Sequence, residues 1–316
     1  NSPNTQVLLG DGPLSTGSFP AARFTIGKWF DFDENFGAEW TIMATGLRTG
    51  HFHAGSDANG SPLLAIPFAD VTHGPPQESS LVISQPGVRH GSVSAEDVSG
   101  LATMELDGLI ELSDWLPGDM YRTTVVAGIR SLYLRERFQF DSMTTDMSGA
   151  TVGYNDIFMD KNYFFGGDFG LRTSRRFKRL TVELTGKAGI GLTTQTQYVT
   201  SQNGLRFYYP HMNYAARDGF FTQATNISYT YSRYAFSVVP SARLRLGYDL
   251  SDNIRLTCSY EAFLWTQLMR PSNQLDRQIN LSQLSGPLVG AARPALPNRR
   301  SDFWAQGFTV GLQVNF

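Results

Sequence analysis

Charged residues recur at every second position along much of this chain, each flanked by apolar neighbours. Glu105, Asp107 and Glu111 alternate with Met104, Leu106 and Ile110. Arg122 and Arg130 alternate with Val125 and Ile129, and Asp168 and Arg172 with Phe169 and Leu171. Glu183 and Lys187 flank Leu184; Arg243 and Arg245 flank Leu244; Arg255 and Glu261 bracket Leu256 and Tyr260; Arg23 precedes Phe24 and Glu39 precedes Trp40. In an extended chain this spacing puts every charge on one face. Acids and bases are nearly balanced, so the chemistry on offer is mutual pairing and the lining of a polar passage. Unpaired buried charges cost several kcal/mol each, so the face that carries them must be wet or paired.

Other candidates are weaker. His51-Phe52-His53 with Asp57 puts two imidazoles on one side of an extended segment, a pattern that can hold a divalent metal; two histidines alone favour a solvated loop. His211 with Asp218 could form part of a hydrolytic pair, but that chemistry needs a base within reach of a water and a second acidic pair. Asp276 and Arg277 beside Arg270 read as pins for a long loop. Arg293, Arg299 and Arg300 read as loop anchors or as contacts for an anionic glycolipid. Arg175, Arg176, Lys178 and Arg179 read as a turn. Cys258 is the only cysteine. The expectation is no catalytic site, no metal and no cofactor.

The elements that position these residues are strands of period two. The clearest ends the chain: Trp304, Phe308, Val310, Leu312, Val314 and Phe316 share one face, and Thr309, Gly311, Gln313 and Asn315 share the other. Such a strand suits lipid on one side and a wet lumen on the other. Aromatics make up 13% and charged residues 17% of 316 residues, an aromatic-rich, charge-poor balance for a soluble domain. Mean hydropathy is −0.22 and no apolar run approaches a membrane helix, as expected when only alternate residues face lipid. The net charge of −2 gives no reason to expect nucleic acid.

The fold expected is all-β: a single transmembrane antiparallel up-and-down β-barrel over 1–316, of about ten strands. Connections near residues 31, 116, 177 and 251 are short, whereas 48–97, 139–161, 199–230 and 268–301 are long. Short periplasmic turns and long external loops have this rhythm. The first and last visible strands run in the same direction, so a further outward strand is expected before Asn1, with 1–20 the loop after it. Pro240 inside a strand predicts a bulge or an open ladder.

The C-terminal third resembles a bacterial outer-membrane family, beta-barrel porin family seven. The resemblance rests on Tyr260-Glu261-Ala262-Phe263-Leu264-Trp265, Arg270-Pro271, Gly286-Pro287-Leu288-Val289-Gly290, Ala292-Arg293-Pro294-Ala295 and Arg299-Arg300-Ser301-Asp302-Phe303-Trp304. Phe164-Phe165-Gly166-Gly167 and Leu184-Thr185-Gly186-Lys187 fit more loosely. It implies a barrel in the bacterial cell outer membrane and brings no catalytic residues. The function expected is a narrow porin passing small solutes or ions through a lumen lined by the charges above. The alternative is a structural or partner-binding barrel with a plugged lumen and working external loops. The partner expected is outer-membrane lipid, with the long loops open to protein partners; the oligomeric state is left open.

Overall fold

The structure is a computed structural model and describes residues 5–10, 18, 20–112, 121–201, 219–223, 225–227, 229–284 and 286–315. In chain order the strands are β1 (Ala21–Trp29), β2 (Phe36–Thr45), β3 (Arg48–Gly55), β4 (Leu64–Asp70), β5 (Gln77–Ser84), β6 (Arg89–Glu111) and β7 (Arg122–Asp146). There follow β8 (Thr151–Phe177), β9 (Leu180–Thr200), β10 (Tyr229–Asp249), β11 (Ile254–Leu268), β12 (Gln278–Ile279) and β13 (Ser301–Val314). One short helix, α1 (Pro271–Gln274), follows β11.

The main sheet runs β1-β2-β6-β7-β8-β9-β10-β11-β13, each strand antiparallel to the next. β3 prolongs β2 along the edge of β6. The sheet curls, because Arg23 on β1 bonds Glu261 on β11, two strands separated by six others along the sheet. Glycine permits the tightest wall contact: a Cβ on Gly128 of β7 would meet the carbonyl oxygen of Leu106 on β6 at 2.0 Å. β1 and β13 are not paired with each other among the described residues, and a direct pairing would be parallel.

The convex face is an exposed apolar band. Phe165, Phe169 and Leu171 on β8, Leu184, Ile190 and Leu192 on β9, and Phe308, Val310 and Leu312 on β13 all point outward. On β7 the band runs from Val125 to Tyr133, and its partners on β8 run from Leu171 to Tyr163. Nine residues on a strand tilted by about 40° cover about 23 Å, which fits a bilayer core. At the short-turn end the chain reverses tightly. Between β1 and β2, Asp31 accepts the backbone N–H groups of Phe36 (2.8 Å) and Asn35 (2.9 Å), which hold its carboxyl below the usual carboxylate range.

At the other end the strands overshoot the band. β7 has 25 residues and β8 has 27, joined only by a turn at 147–150, so nearly half of each stands beyond a bilayer. These extensions carry a cap with its own core: Phe68 on β4, Ile83 on β5, Phe158 on β8, Ile279 on β12, and Phe220 with Phe221 pack together. β12, β4 and β5 form a small second sheet over it. Asp156 on β8 clamps the 220–222 segment, accepting N–H groups from Phe221 and Thr222, both at 2.7 Å.

The stretch 48–97, expected as irregular loop, therefore holds β3, β4, β5 and part of β6. The stretch 139–161 is mostly strand, and 268–301 holds α1, β12 and a 3-10 turn at 281–284. Away from lipid neither face must be uniformly apolar, so alternation loses contrast there, as in Ser92-Val93-Ser94-Ala95-Glu96. Pro67 sits within β4 where only β5 pairs with it. Pro240 marks an open ladder: β10 and β11 pair only from Ser241 onward, and the Thr266 hydroxyl takes over the Val238 N–H at 2.9 Å. The turn near 116 and Phe316 lie outside the described residues.

Candidate functional site

The concave face is layered. Nearest the short turns, Glu111 accepts from Arg122 (2.7 Å), which also pairs with Glu34 (2.7 Å) and lies over the Trp29 ring. Asp249 there pairs with Arg255 at 2.6 Å and Arg176 at 2.7 Å.

Above these lies a belt of charges that pair across the curl. Glu39 on β2 meets Arg172 on β8 at 3.0 Å, and Glu183 is 4.0 Å from Arg172 and 3.9 Å from Arg245. Arg245 also donates to Gln313 on β13. Arg23 and Arg243 share Glu261, the latter at 3.1 Å. The innermost knot joins three strands on one side of the sheet to β9: Lys187 bonds Glu105 and reaches Asp107 and Asp168, each at 2.8 Å. Arg130 completes it, 2.9 Å from Asp168 and 3.3 Å from Glu105. All five side chains are buried. Glu105, Asp107 and Asp168 are the one group of three acids with metal-ligand spacing among the described residues, and the Lys187 ammonium stands where a cation would.

Every charged residue singled out by alternation thus appears in this set of pairs. The structure brings them together in two shared belts, not as isolated charges. What sequence reasoning missed is the next layer. Leu101, Leu132, Leu134, Phe164, Val239, Trp265 and Leu268 form a buried apolar cluster contributed by β6, β7, β8, β10 and β11. Trp265 is fully buried, meets Phe164 edge-on at 6.2 Å between centroids, and donates its indole N–H to Thr193 on β9 at 3.0 Å. The signal was present in Leu132-Tyr133-Leu134 and Phe263-Leu264-Trp265, where both strand faces turn apolar. Beyond this layer Asn162 exchanges two hydrogen bonds with the Met269 backbone, and Glu136 receives Arg270 at 2.6 Å.

The remaining candidates separate. Asp57 spends its carboxylate on the N–H groups of Asn59 and Ser61 in a turn. His51 is instead 4.0 Å from Glu96. Asp276 does pin the long final connection, pairing with Arg293 at 2.9 Å and accepting the Ala295 N–H. Arg277 donates to the Pro67 carbonyl and Arg300 to Gln267. His211 and Asp218 lie outside the described residues.

A curled antiparallel sheet, apolar outside over one bilayer thickness and ion-paired inside, defines a membrane β-barrel protein. The family model described as "Putative beta barrel porin-7 (BBP7)" matches residues 1–316, and the chain belongs to that family. This places it among outer-membrane β-barrels in contact with membrane lipid. No curated protein matches the chain.

Proposed function

We propose that the protein is an outer-membrane β-barrel whose lumen is filled at rest, and that it works as a membrane anchor for the cap, which faces outward and makes structural or partner contacts. The observation that carries this reading is the apolar layer built around Trp265. Water and ions crossing it would have to leave their hydration shells with little in return, since the buried hydroxyls there, Thr193 and Ser237, already bond Trp265 and each other. The long, folded connections at the same end supply the working surface. The reading is of a non-enzyme, because the family brings no catalytic residues to carry over.

Single-channel recording in planar bilayers tests it. The wild-type protein is expected to give no resolved openings, and the Trp265→Ala, Leu132→Ala double variant to give small steps. Regular openings of the wild-type protein would overturn the filled-lumen reading.

One observation favours a second reading, a narrow porin. The charge belts below the layer are of mixed sign and would suit ions once the layer parted. In that case openings would change ion selectivity in Arg243→Gln and Arg245→Gln variants. A folded wild-type protein that cleaves any member of a broad peptide and lipid panel would remove the non-enzyme reading.

A further inference from the structure

Just beyond the apolar band, on the convex wall, lie three cations that have no acidic partner among the described residues. Tyr133 on β7 and Tyr163 on β8 are paired in register, exposed, and close the band at its cap end. Two residues further along the same strands come Arg135 and Lys161, again directly paired. Arg137 follows on the same face of β7. Like charges set directly opposite on neighbouring strands repel. None of the three makes an ion pair with a carboxylate among the described residues. Arg137 donates to Gln139, and Lys161 lies 4.9 Å over the Tyr198 ring.

The acids that share this wall are engaged elsewhere. Glu96 faces His51, and Asp141 accepts from Gln139 at 2.9 Å and from Asn155. The alternate positions, Glu136 and Asp160, are buried on the concave side. The cluster is therefore a deliberate excess of positive charge. Two residues of tilted strand above the tyrosines is about 5 Å, the depth at which headgroup phosphates sit above an aromatic girdle. Guanidinium and ammonium groups at that depth give phosphate several charge-assisted hydrogen bonds, and the tyrosine rings offer a face to the first carbons of the lipid.

We propose that Arg135, Arg137 and Lys161 form a binding site for the phosphate headgroup of an outer-leaflet lipid, held on the outer wall of β7 and β8. The partner is a phosphorylated, membrane-embedded glycolipid, and the tyrosines beneath the cations fix its depth. The site is independent of whether the lumen conducts.

Native mass spectrometry of the purified full chain, released from micelles mixed with a bisphosphorylated glycolipid, provides the test. The wild-type protein is expected to retain this lipid over its dephosphorylated form and over phosphatidylcholine. The Arg135→Gln, Arg137→Gln, Lys161→Gln variant should lose about 100-fold in retention, from roughly fivefold per cation removed. The charge-preserving Lys161→Arg variant should keep wild-type retention. If the triple variant does not fold, shown by loss of heat-modifiable migration, the single variants Arg135→Gln and Lys161→Gln carry the measurement, each with about a fivefold loss. Equal retention of the dephosphorylated lipid, or unchanged retention in the variants, would overturn the proposal. So would displacement of the lipid by millimolar inorganic phosphate, which would assign the cations to a soluble anion.

Discussion

Lys187 shows what single residues contribute on the concave face. Its ammonium touches three carboxylates, Glu105, Asp107 and Asp168, and its side chain is 6% exposed. Lys187→Met keeps the stem and removes the charge, leaving three acids to share Arg130. Breaking such a buried network should cost about 3–5 kcal/mol. Urea unfolding in liposomes would measure this, and adding Asp168→Asn should recover part of the loss, since one uncompensated acid is then gone. An unchanged midpoint for Lys187→Met would mean the knot is more hydrated than its burial indicates. That these residues share a face was legible from their spacing alone. Which acid meets which base was not, because the partners are remote: Lys187 and Glu105 are 82 positions apart, and Arg23 and Glu261 are 238 apart.

At the scale of the strand, the convex face sets the energetics. Leu184 is 57% exposed on β9, within the apolar band. Leu184→Arg should destabilise the folded protein in liposomes by about 2–4 kcal/mol if it lies near the midplane. Stability equal to wild type would contradict its contact with lipid. The membrane halves of the strands were readable because lipid enforces strict alternation. The cap halves were not, since β3, β4 and β5 pack against one another and against β6 with mixed faces, and their prolines suggest loops. The apolar layer was hidden for a related reason: where a strand is apolar both toward the lumen and toward lipid, period two disappears and only a run of apolar residues remains.

The molecule as a whole is held in its curl by ties between distant strands. Arg23 near one edge and Glu261 beside the other are joined by a direct bond, although β1 and β13 do not pair with each other among the described residues. In a Cys258→Ser background, Arg23→Cys with Glu261→Cys should be joined by a short bifunctional thiol cross-linker in the folded protein. Peptide mapping would show the linked fragments. The neighbouring pair Arg243→Cys with Glu261→Cys, on paired strands, should link as a control. A control that links beside a test pair that does not would mean that the sheet is more open than the ion pair implies. The same charge belts stiffen the wall, while the cap has a separate aromatic core around Phe220.

The β7–β8 hairpin connects these two regions without interruption. Its ladder runs from Arg122 paired with Ser174 at the short-turn end to Thr145 paired with Thr151 beneath the cap turn. Mechanically this is a mast. Tension applied at the 147–150 turn pulls both strands along their length, loading their bonds to β6 and β9 in shear instead of peeling them apart one by one. A load on the cap is thereby passed directly into the part of the sheet gripped by lipid.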